Sequence, residues 1–228
     1  RLQTDYIDLY QLHWPERVVN NFGKLKYNHQ PREDDIPILK TLEILGEAVN
    51  KGFIRTIGLS NETPWGVMQF LSLSEKLHLP RVVSIQNPYN LLNRSFESGL
   101  SEISINEKVG LLAYSPLAGG VLSGKYLDGN NPPNARMTLF EGMSKRYSGS
   151  HAENAVRSYK KIAENHNLKL SQMSLNFITR QKFVSSNIIG ATSLEQLNED
   201  LESINCKLSD EVISEIEEVH KIYTYPCP

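Results

Sequence analysis

The stretch IRTIGLSNETPWGVMQFLSL, residues 54–73, carries the signals of a β-strand, a short loop and an α-helix in succession. Its first part, Ile54 to Leu59, is short and mostly apolar on both faces, which is typical of a strand buried in a parallel sheet. Thr63 and Pro64 then mark a helix start, because threonine caps free amides and proline fits the first helical position. The apolar spacing that follows predicts a helix from Pro64 to Leu77.

The same order of strand, loop and helix recurs along the chain. Further strands are predicted at Tyr6 to His13, Val82 to Gln86, Leu111 to Ser115 and Asn187 to Gly190. Further helices are predicted at Ile38 to Lys51, Phe96 to Glu107, Ala152 to Asn165, Ser171 to Gln181, Ser193 to Ile204 and Ser209 to Ile222. Long loops, 15–37 and 117–150, follow the first and the fourth strand. This alternation predicts an α/β fold with a parallel sheet.

The number of predicted strands constrains the architecture. Five strands are too few to close a (β/α)8 TIM barrel, and an open sheet would leave apolar edge strands unpaired. We therefore expect the chain to hold the last five strand-helix units of such a barrel. Roughly three more units, on the order of 100 residues, are expected N-terminal to Arg1. Residues 1–228 are predicted to form one domain.

Composition limits the partners that this chain can have. Its 228 residues have a formal net charge of −2 and are 39% hydrophobic, which is typical of a globular domain with a sizeable core. The lack of clustered Lys and Arg argues against nucleic acid and anionic membranes as partners. No apolar stretch reaches the roughly 20 residues that cross a bilayer, so a cytoplasmic protein is expected. Cys206 and Cys227 are interpreted as unpaired thiols, and the scattered histidines predict no metal site.

Several segments together carry a family resemblance. They are DYIDLYQLHWP (5–15), IGLSNE (57–62), SIQNPYN (84–90), AYSPLAGGVLSGKY (113–126) and IIGATSLEQLNED (188–200). In this order and spacing they resemble the aldo-keto reductase superfamily over nearly the whole chain, which implies an NADP-dependent oxidoreductase domain. The segment NARMTLFEGMSKRYSG (134–149) and the ending HKIYTYPCP look closest to bacterial Tas-like proteins, and more distantly to potassium-channel beta subunits.

Reduction of a carbonyl by a nicotinamide requires a fixed hydride donor and a polarising group at the carbonyl oxygen. His13 ends the first strand, on the barrel face where catalytic groups lie. The resemblance implies that His13 hydrogen-bonds the carbonyl oxygen of the substrate, and the alternative is a core histidine bound to a backbone group. Trp14 is interpreted as a wall of the substrate pocket, although it could equally be a packing residue.

The carboxamide of a nicotinamide offers both a donor and an acceptor, which polar side chains must match. Ser60, Asn61 and Gln86 lie at the ends of neighbouring strands, and the resemblance implies that they clamp the carboxamide. Turn chemistry explains Asn61 alone, but it does not explain Gln86 one strand later. Tyr114 matches the family position whose ring stacks on the nicotinamide, although an aromatic at a strand end can also be core.

Phosphate groups need helix-start amides and nearby cations. The resemblance implies phosphate contacts for Lys125 and Arg136, with Arg136 at the 2′-phosphate, so NADPH is the predicted cofactor. Asp200 replaces the asparagine that is common in the family, which puts its adenine contact in doubt. The complete set of predicted cofactor-binding residues is Ser60, Asn61, Gln86, Tyr114, Ser115, Pro116, Leu117, Lys125, Arg136, Gly190, Thr192, Gln196, Glu199 and Asp200.

The proton donor of the family is a tyrosine tuned by a lysine that pairs with an aspartate, and all of these lie before the strand ending in His13. This sequence contains none of them. Tyr10 lies three positions from His13, so strand alternation points it to the opposite face, where it should pack against helices.

The predicted function is therefore NADPH-dependent reduction of an aldehyde or ketone to an alcohol by the intact protein, acting on a small-molecule carbonyl substrate. In this prediction the chain supplies the cofactor site and His13. One alternative is a truncated, catalytically inactive cofactor-binding or regulatory module. Another is an unrelated barrel hydrolase or lyase, which no nucleophile or metal motif recommends.

Overall fold

The structure is a computed structural model that describes residues 3–20, 24–140, 142 and 146–228. In these residues the strands form one sheet in chain order. The strands are β1 (Ile7–Leu12), β2 (Ile54–Ser60), β3 (Val82–Pro88), β4 (Gly110–Tyr114) and β5 (Val184–Asn187). The pairings of β1 with β2 and of β2 with β3 are parallel. The predicted α/β fold is confirmed, and its alternation of strands and helices is consistent with the (β/α)8 barrel.

Helices follow the strands as the sequence predicts. They are α1 (Ile38–Asn50), α2 (Pro64–Leu77), α3 (Leu100–Asn106), α4 (Arg136–Leu139), α5 (Ser150–Asn165), α6 (Leu170–Thr179), α7 (Leu194–Glu202) and α8 (Asp210–Ile222). The predicted cap at Thr63 is confirmed, because its hydroxyl accepts a hydrogen bond from the amide three residues later. The hydroxyls of Ser193 and Ser209 cap α7 and α8 in the same way. Among the described helices, none is long and apolar enough to span a bilayer.

Two predicted elements differ from the structure by more than two residues at a boundary. The helix predicted at Phe96 to Glu107 is broken by Gly99, whose φ of 148° lies outside the helical region. A 3-10 turn, Ser95–Ser98, precedes the glycine, and α3 begins after it. The strand predicted at Asn187 to Gly190 lies three residues earlier, as β5. The apolar pair Ile188 and Ile189 suggested a strand there, but these residues begin the loop to α7 instead.

The two long predicted loops contain some local structure. The loop after β4 includes 3-10 turns at Ala118–Ser123 and Leu127–Gly129, followed by the short α4. Residues 21–23 of the first loop, and residues 141 and 143–145 of the second, lie outside the described residues. The segment 134–149, which carries part of the family resemblance, therefore includes four residues outside the described ones.

The chain divides into two compact units, Arg1–Asn87 with Gly99–Leu112, and Pro88–Ser98 with Ala113–Pro228. The core of the first unit is aliphatic and includes the fully buried side chains of Leu42, Ile57, Leu59, Val67 and Ile85. Tyr10 is 41% exposed, and its expected packing against helices stays a prediction. It lies on β1, which is one of the two edge strands of the described sheet.

The core of the second unit is built around aromatic rings. Phe183 lies 5.3 Å from Tyr89 and 5.5 Å from Phe96, measured between ring centroids. The guanidinium of Arg94 lies 5.0 Å from the ring centroid of Phe177 and forms ion pairs with two glutamates. Aromatic pairs at these distances contribute about 0.5–1.5 kcal/mol each beyond the area they bury. This cluster therefore anchors the segment 88–98 to the rest of its unit.

Cys227 should resist alkylation in the folded protein at pH 8. It is fully buried, and burial raises the pKa of its thiol to about 12, so on the order of 10⁻⁴ of it is thiolate at that pH. Cys206 is only half-buried, and burial raises its pKa as well. Treatment with iodoacetamide followed by peptide mass spectrometry should show label on Cys206 first, and on Cys227 only after unfolding. Equal labelling rates in the native protein would contradict this burial.

Candidate cofactor and carbonyl site

In the first unit, the carboxyl ends of three parallel strands bring several predicted site residues together. His13 directly follows β1, Ser60 ends β2 with Asn61 after it, and Gln86 lies near the end of β3. Ser60 is aligned with Gln86 in the register of β2 and β3. Because parallel strands end at the same edge of a sheet, these side chains meet there.

Hydrogen bonds join these residues into one network. The Ser60 hydroxyl donates to the Gln86 carbonyl over 2.7 Å, and the Asn61 amide N–H donates to the same oxygen over 3.0 Å. The side-chain Nδ2 of Asn61 donates to the His13 carbonyl over 2.9 Å and to the Ser60 hydroxyl over 3.1 Å. Asn61 has a φ of 55°, a left-handed conformation that asparagine tolerates better than most residues. The carbonyl-orienting candidate and the three carboxamide candidates are therefore held as a group.

Gln11 belongs to the same network, and sequence reasoning missed it. Its Oε1 accepts a hydrogen bond from Nε2 of Gln86 over 3.0 Å, and its own Nε2 donates to the Leu59 carbonyl over 3.4 Å. A signal for it was present in the sequence. Gln11 lies two positions before His13, and strand alternation puts residues two apart on the same face.

An apolar cavity of about 240 Å³ lies beside this network. Trp14 and Trp65 line it, together with Leu12, Leu59 and Phe70. Ser60 also lines this cavity, whereas His13 does not. Both tryptophans thus line one cavity, which reaches the network at Ser60, the last residue of β2.

A buried ion pair closes one side of this cavity. Arg17 and Glu62, which both line it, form a bidentate pair with N–O distances of 2.5 and 3.1 Å. The Glu62 carboxylate also accepts from the Thr63 amide over 2.6 Å, and the Arg17 guanidinium lies 4.8 Å from the Trp65 ring centroid. The pair therefore ties the loop after β1 to the start of α2.

In the second unit, Tyr114 ends β4 and is half-buried. Burial raises the pKa of its phenol to about 12, although the charge of Arg146 and a hydrogen bond from it act in the opposite direction. The phenol is therefore neutral at physiological pH. Arg146 is a second residue that sequence reasoning did not single out, and its distance from Tyr114 along the chain gave no signal.

The residues after Tyr114 form a tight turn. Ser115 has a φ of 53°, and its carbonyl accepts from Nδ2 of Asn90 over 2.9 Å. Pro116 is buried and Leu117 half-buried. The turn fixes the direction in which the chain leaves β4.

Two glycines with positive φ precede Lys125, and the second of them lies against its side chain. Gly119 and Gly120 have φ values of 68° and 94°, which favour glycine. A Cβ on Gly120 would lie 3.0 Å from Cε of Lys125, so the missing side chain leaves room for the lysine. Arg136 is the first residue of α4 and is exposed.

The predicted adenosine and phosphate residues at the start of α7 are mostly exposed. They include Gly190, Thr192 and Gln196, and Oε1 of Gln196 accepts from both the amide and the hydroxyl of Thr192 over 3.1 Å. Glu199 pairs with Lys169 over 2.7 Å and accepts from the hydroxyl of Ser171. Burial acts to raise the pKa of Glu199, but these hydrogen bonds hold it below its ordinary value.

Asp200 is a buried carboxyl at the same helix. Burial, together with the adjacent charge of Glu199, raises the pKa of Asp200. The Glu199 carboxylate is thus already bound to Lys169 and Ser171, and the Asp200 carboxyl is buried. The adenosine contacts of both residues stay predictions.

Comparison with known proteins identifies the class of protein. The model of the Aldo/keto reductase family matches residues 1–221. Protein tas of Escherichia coli (strain K12) is 53% identical over 228 residues, which is 100% of this chain and 66% of that protein. L-glyceraldehyde 3-phosphate reductase of Escherichia coli O157:H7 is 30% identical over 209 residues, 89% of this chain and 60% of that protein.

A more distant relative is the probable voltage-gated potassium channel subunit beta of Oryza sativa subsp. japonica. It is 27% identical over 224 residues, which cover 96% of this chain and 63% of that protein. The chain belongs to the aldo/keto reductase family of oxidoreductases, which confirms the resemblance predicted from its motifs. It spans 60–66% of the length of these curated relatives.

Proposed function

We propose that the protein carrying this chain reduces an aldehyde or ketone to an alcohol with NADPH. The single observation that carries the proposal is the network of Ser60, Asn61 and Gln86 beside His13. Family membership adds support, because a relative that is 30% identical is named for the reduction of an aldehyde.

The polar groups of this network suit a nicotinamide carboxamide. Ser60, Asn61 and Gln86 carry hydroxyl and amide groups, hence both donors and acceptors, at one edge of the sheet. The Ser60 hydroxyl and Nδ2 of Asn61 donate within the network here, so a bound carboxamide would replace some of these bonds. A reduced nicotinamide bound there would supply the hydride for the carbonyl carbon, and the proton that completes the alcohol at the oxygen would come from a donor outside this chain. His13 is exposed at the end of β1, and in this proposal its ring holds the carbonyl oxygen.

Further predicted residues are proposed to contact the cofactor. The Tyr114 ring, whose phenol stays neutral at physiological pH, is proposed to stack on the nicotinamide. Lys125 and Arg136 are proposed to bind phosphates, since a guanidinium matches phosphate oxygens with paired N–H groups. A cytoplasmic location stays a prediction.

The preference for NADPH over NADH can be tested at Arg136. Replacing Arg136 by Met should raise the Kd for NADPH about tenfold and leave the Kd for NADH within about twofold, because a hydrogen bond to a charged group is worth ~1.5 kcal/mol. Fluorescence titration of the full-length protein measures both constants. Arg180→Met is the matched control, since Arg180 is also exposed in the second unit. If the Kd values for NADPH and NADH changed equally, the proposed contact between Arg136 and the 2′-phosphate would be wrong.

The proposed activity is tested by mixing the full-length protein with NADPH and a panel of aldehydes and ketones. Loss of the absorbance of reduced nicotinamide with at least one carbonyl supports a reductase. Binding of NADPH without turnover on any carbonyl would favour the cofactor-binding or regulatory module instead. If the protein showed neither NADPH binding nor turnover, the proposal would be overturned.

A further inference from the structure

Two glutamines on strands that are not neighbours are hydrogen-bonded across the strand between them. Nε2 of Gln86 on β3 donates to Oε1 of Gln11 on β1 over 3.0 Å, and β2 lies between these strands. Neighbouring strands lie about 4.8 Å apart, so the backbones of β1 and β3 are separated by about 10 Å. Only two long side chains with an open path between them can meet across that distance.

Gly58 keeps this path open. It is aligned with Gln11 in the register of β1 and β2, and with Ser84 in that of β2 and β3. A Cβ on Gly58 would lie 3.2 Å from Cγ of Gln11 and 2.6 Å from Oγ of Ser84. A Cβ at residue 58 would therefore force Ser84 to move and would crowd the stem of Gln11.

The orientation of both amides follows from their partners. Nε2 of Gln11 donates to the Leu59 carbonyl, which turns Oε1 of Gln11 toward Gln86. Because Oε1 of Gln11 can only accept, it selects the Nε2 end of the Gln86 amide. Oε1 of Gln86 is then the end that points away and is left to accept a hydrogen bond from a ligand.

We propose that Gln11 is a positioning residue that fixes the Gln86 amide so that Oε1 of Gln86 accepts from the N–H₂ of the cofactor carboxamide. The inference rests on the proposed function, because it assigns Gln86 to the nicotinamide. Gln11 itself does not touch the cofactor in this arrangement. Its effect on binding is transmitted through the amide of Gln86.

The test compares NADPH with its reduced 3-acetylpyridine analogue, in which a methyl ketone replaces the carboxamide and no N–H remains. In the full-length protein, Gln11→Met should raise the Kd for NADPH about fivefold, the equivalent of one neutral hydrogen bond, and change that of the analogue by less than about twofold. Gly58→Ala should also weaken NADPH binding, since its Cβ crowds both Gln11 and Ser84. Gln69→Met, on α2, is the matched control and should change neither constant.

A double variant separates positioning from a general loss of structure. Combining Gln11→Met with Gln86→Met should weaken NADPH binding no more than Gln86→Met alone, because Gln11 acts only through Gln86. The inference would be overturned if Gln11→Met left NADPH binding unchanged or weakened the binding of NADPH and the analogue equally. Additive losses of NADPH affinity in the double variant would overturn it as well. A wild-type protein that binds neither cofactor would overturn the proposed function and this inference with it, whereas selective failure overturns the inference alone.

Discussion

Replacing His13 by Phe in the full-length protein should lower kcat for carbonyl reduction by about 10² to 10³, the usual cost of removing one donor aimed at a developing oxyanion. Phenylalanine keeps a ring beside Trp14, whose ring centroid lies 5.8 Å from that of His13, but it cannot donate to the carbonyl oxygen. The Kd for NADPH should stay within about twofold, because the link from Asn61 uses the backbone carbonyl of residue 13 rather than its side chain. Steady-state kinetics and cofactor titration on the same preparations measure the two effects.

Two further variants make this result specific to His13. His13→Gln retains a side-chain N–H donor and should recover part of the lost rate. His29→Phe removes another exposed histidine of the first unit and should leave kcat unchanged. If His13→Phe kept kcat within about threefold of the wild type, the proposed contact between His13 and the carbonyl oxygen would be wrong. If instead it lost NADPH binding, His13 would be supporting the cofactor site.

Much of the fold could be predicted because its information is local. The helix from Pro64 to Leu77 has its cap, its first-turn proline and its apolar spacing within one stretch, and both its bounds are confirmed. The grouping of His13, Ser60 and Gln86 was also accessible, since parallel strands that end in polar residues must present them at one edge. The family resemblance then gave each of these residues a proposed role.

What could not be predicted depends on register and on distant contacts. The bond between Gln11 and Gln86 requires knowing that Gly58 lies between them, and strand alternation alone does not give that alignment. The ion pair of Glu199 with Lys169 likewise joins residues 30 positions apart. By contrast, the sequence does contain a signal for the break at Gly99. A glycine inside a helix costs about 1 kcal/mol relative to alanine, which lowers the stability of a continuous helix there.

The pair of Arg17 and Glu62 is such a distant contact, and breaking it should produce the largest loss of stability. Arg17→Ala should lower the free energy of unfolding by about 3 kcal/mol, because it leaves the Glu62 carboxylate, 3% exposed, without its charged partner. Glu62→Ala should cost less, about 2 kcal/mol, since the guanidinium is 21% exposed and keeps contacts with Thr63 and Trp65. Urea unfolding of the full-length protein, followed by tryptophan fluorescence, measures both values.

A surface pair of the same unit supplies the control. Arg55 and Asp8 lie 2.6 Å apart, but both side chains are largely exposed, so Arg55→Ala should leave the urea midpoint nearly unchanged. Changing Arg17 and Glu62 together to Met should cost less than Arg17→Ala, because no buried charge is then left without a partner. If Arg17→Ala unfolded at the same midpoint as Arg55→Ala, the loop after His13 would not be anchored by this pair. The cavity between Trp14 and Trp65 would then need another source of rigidity.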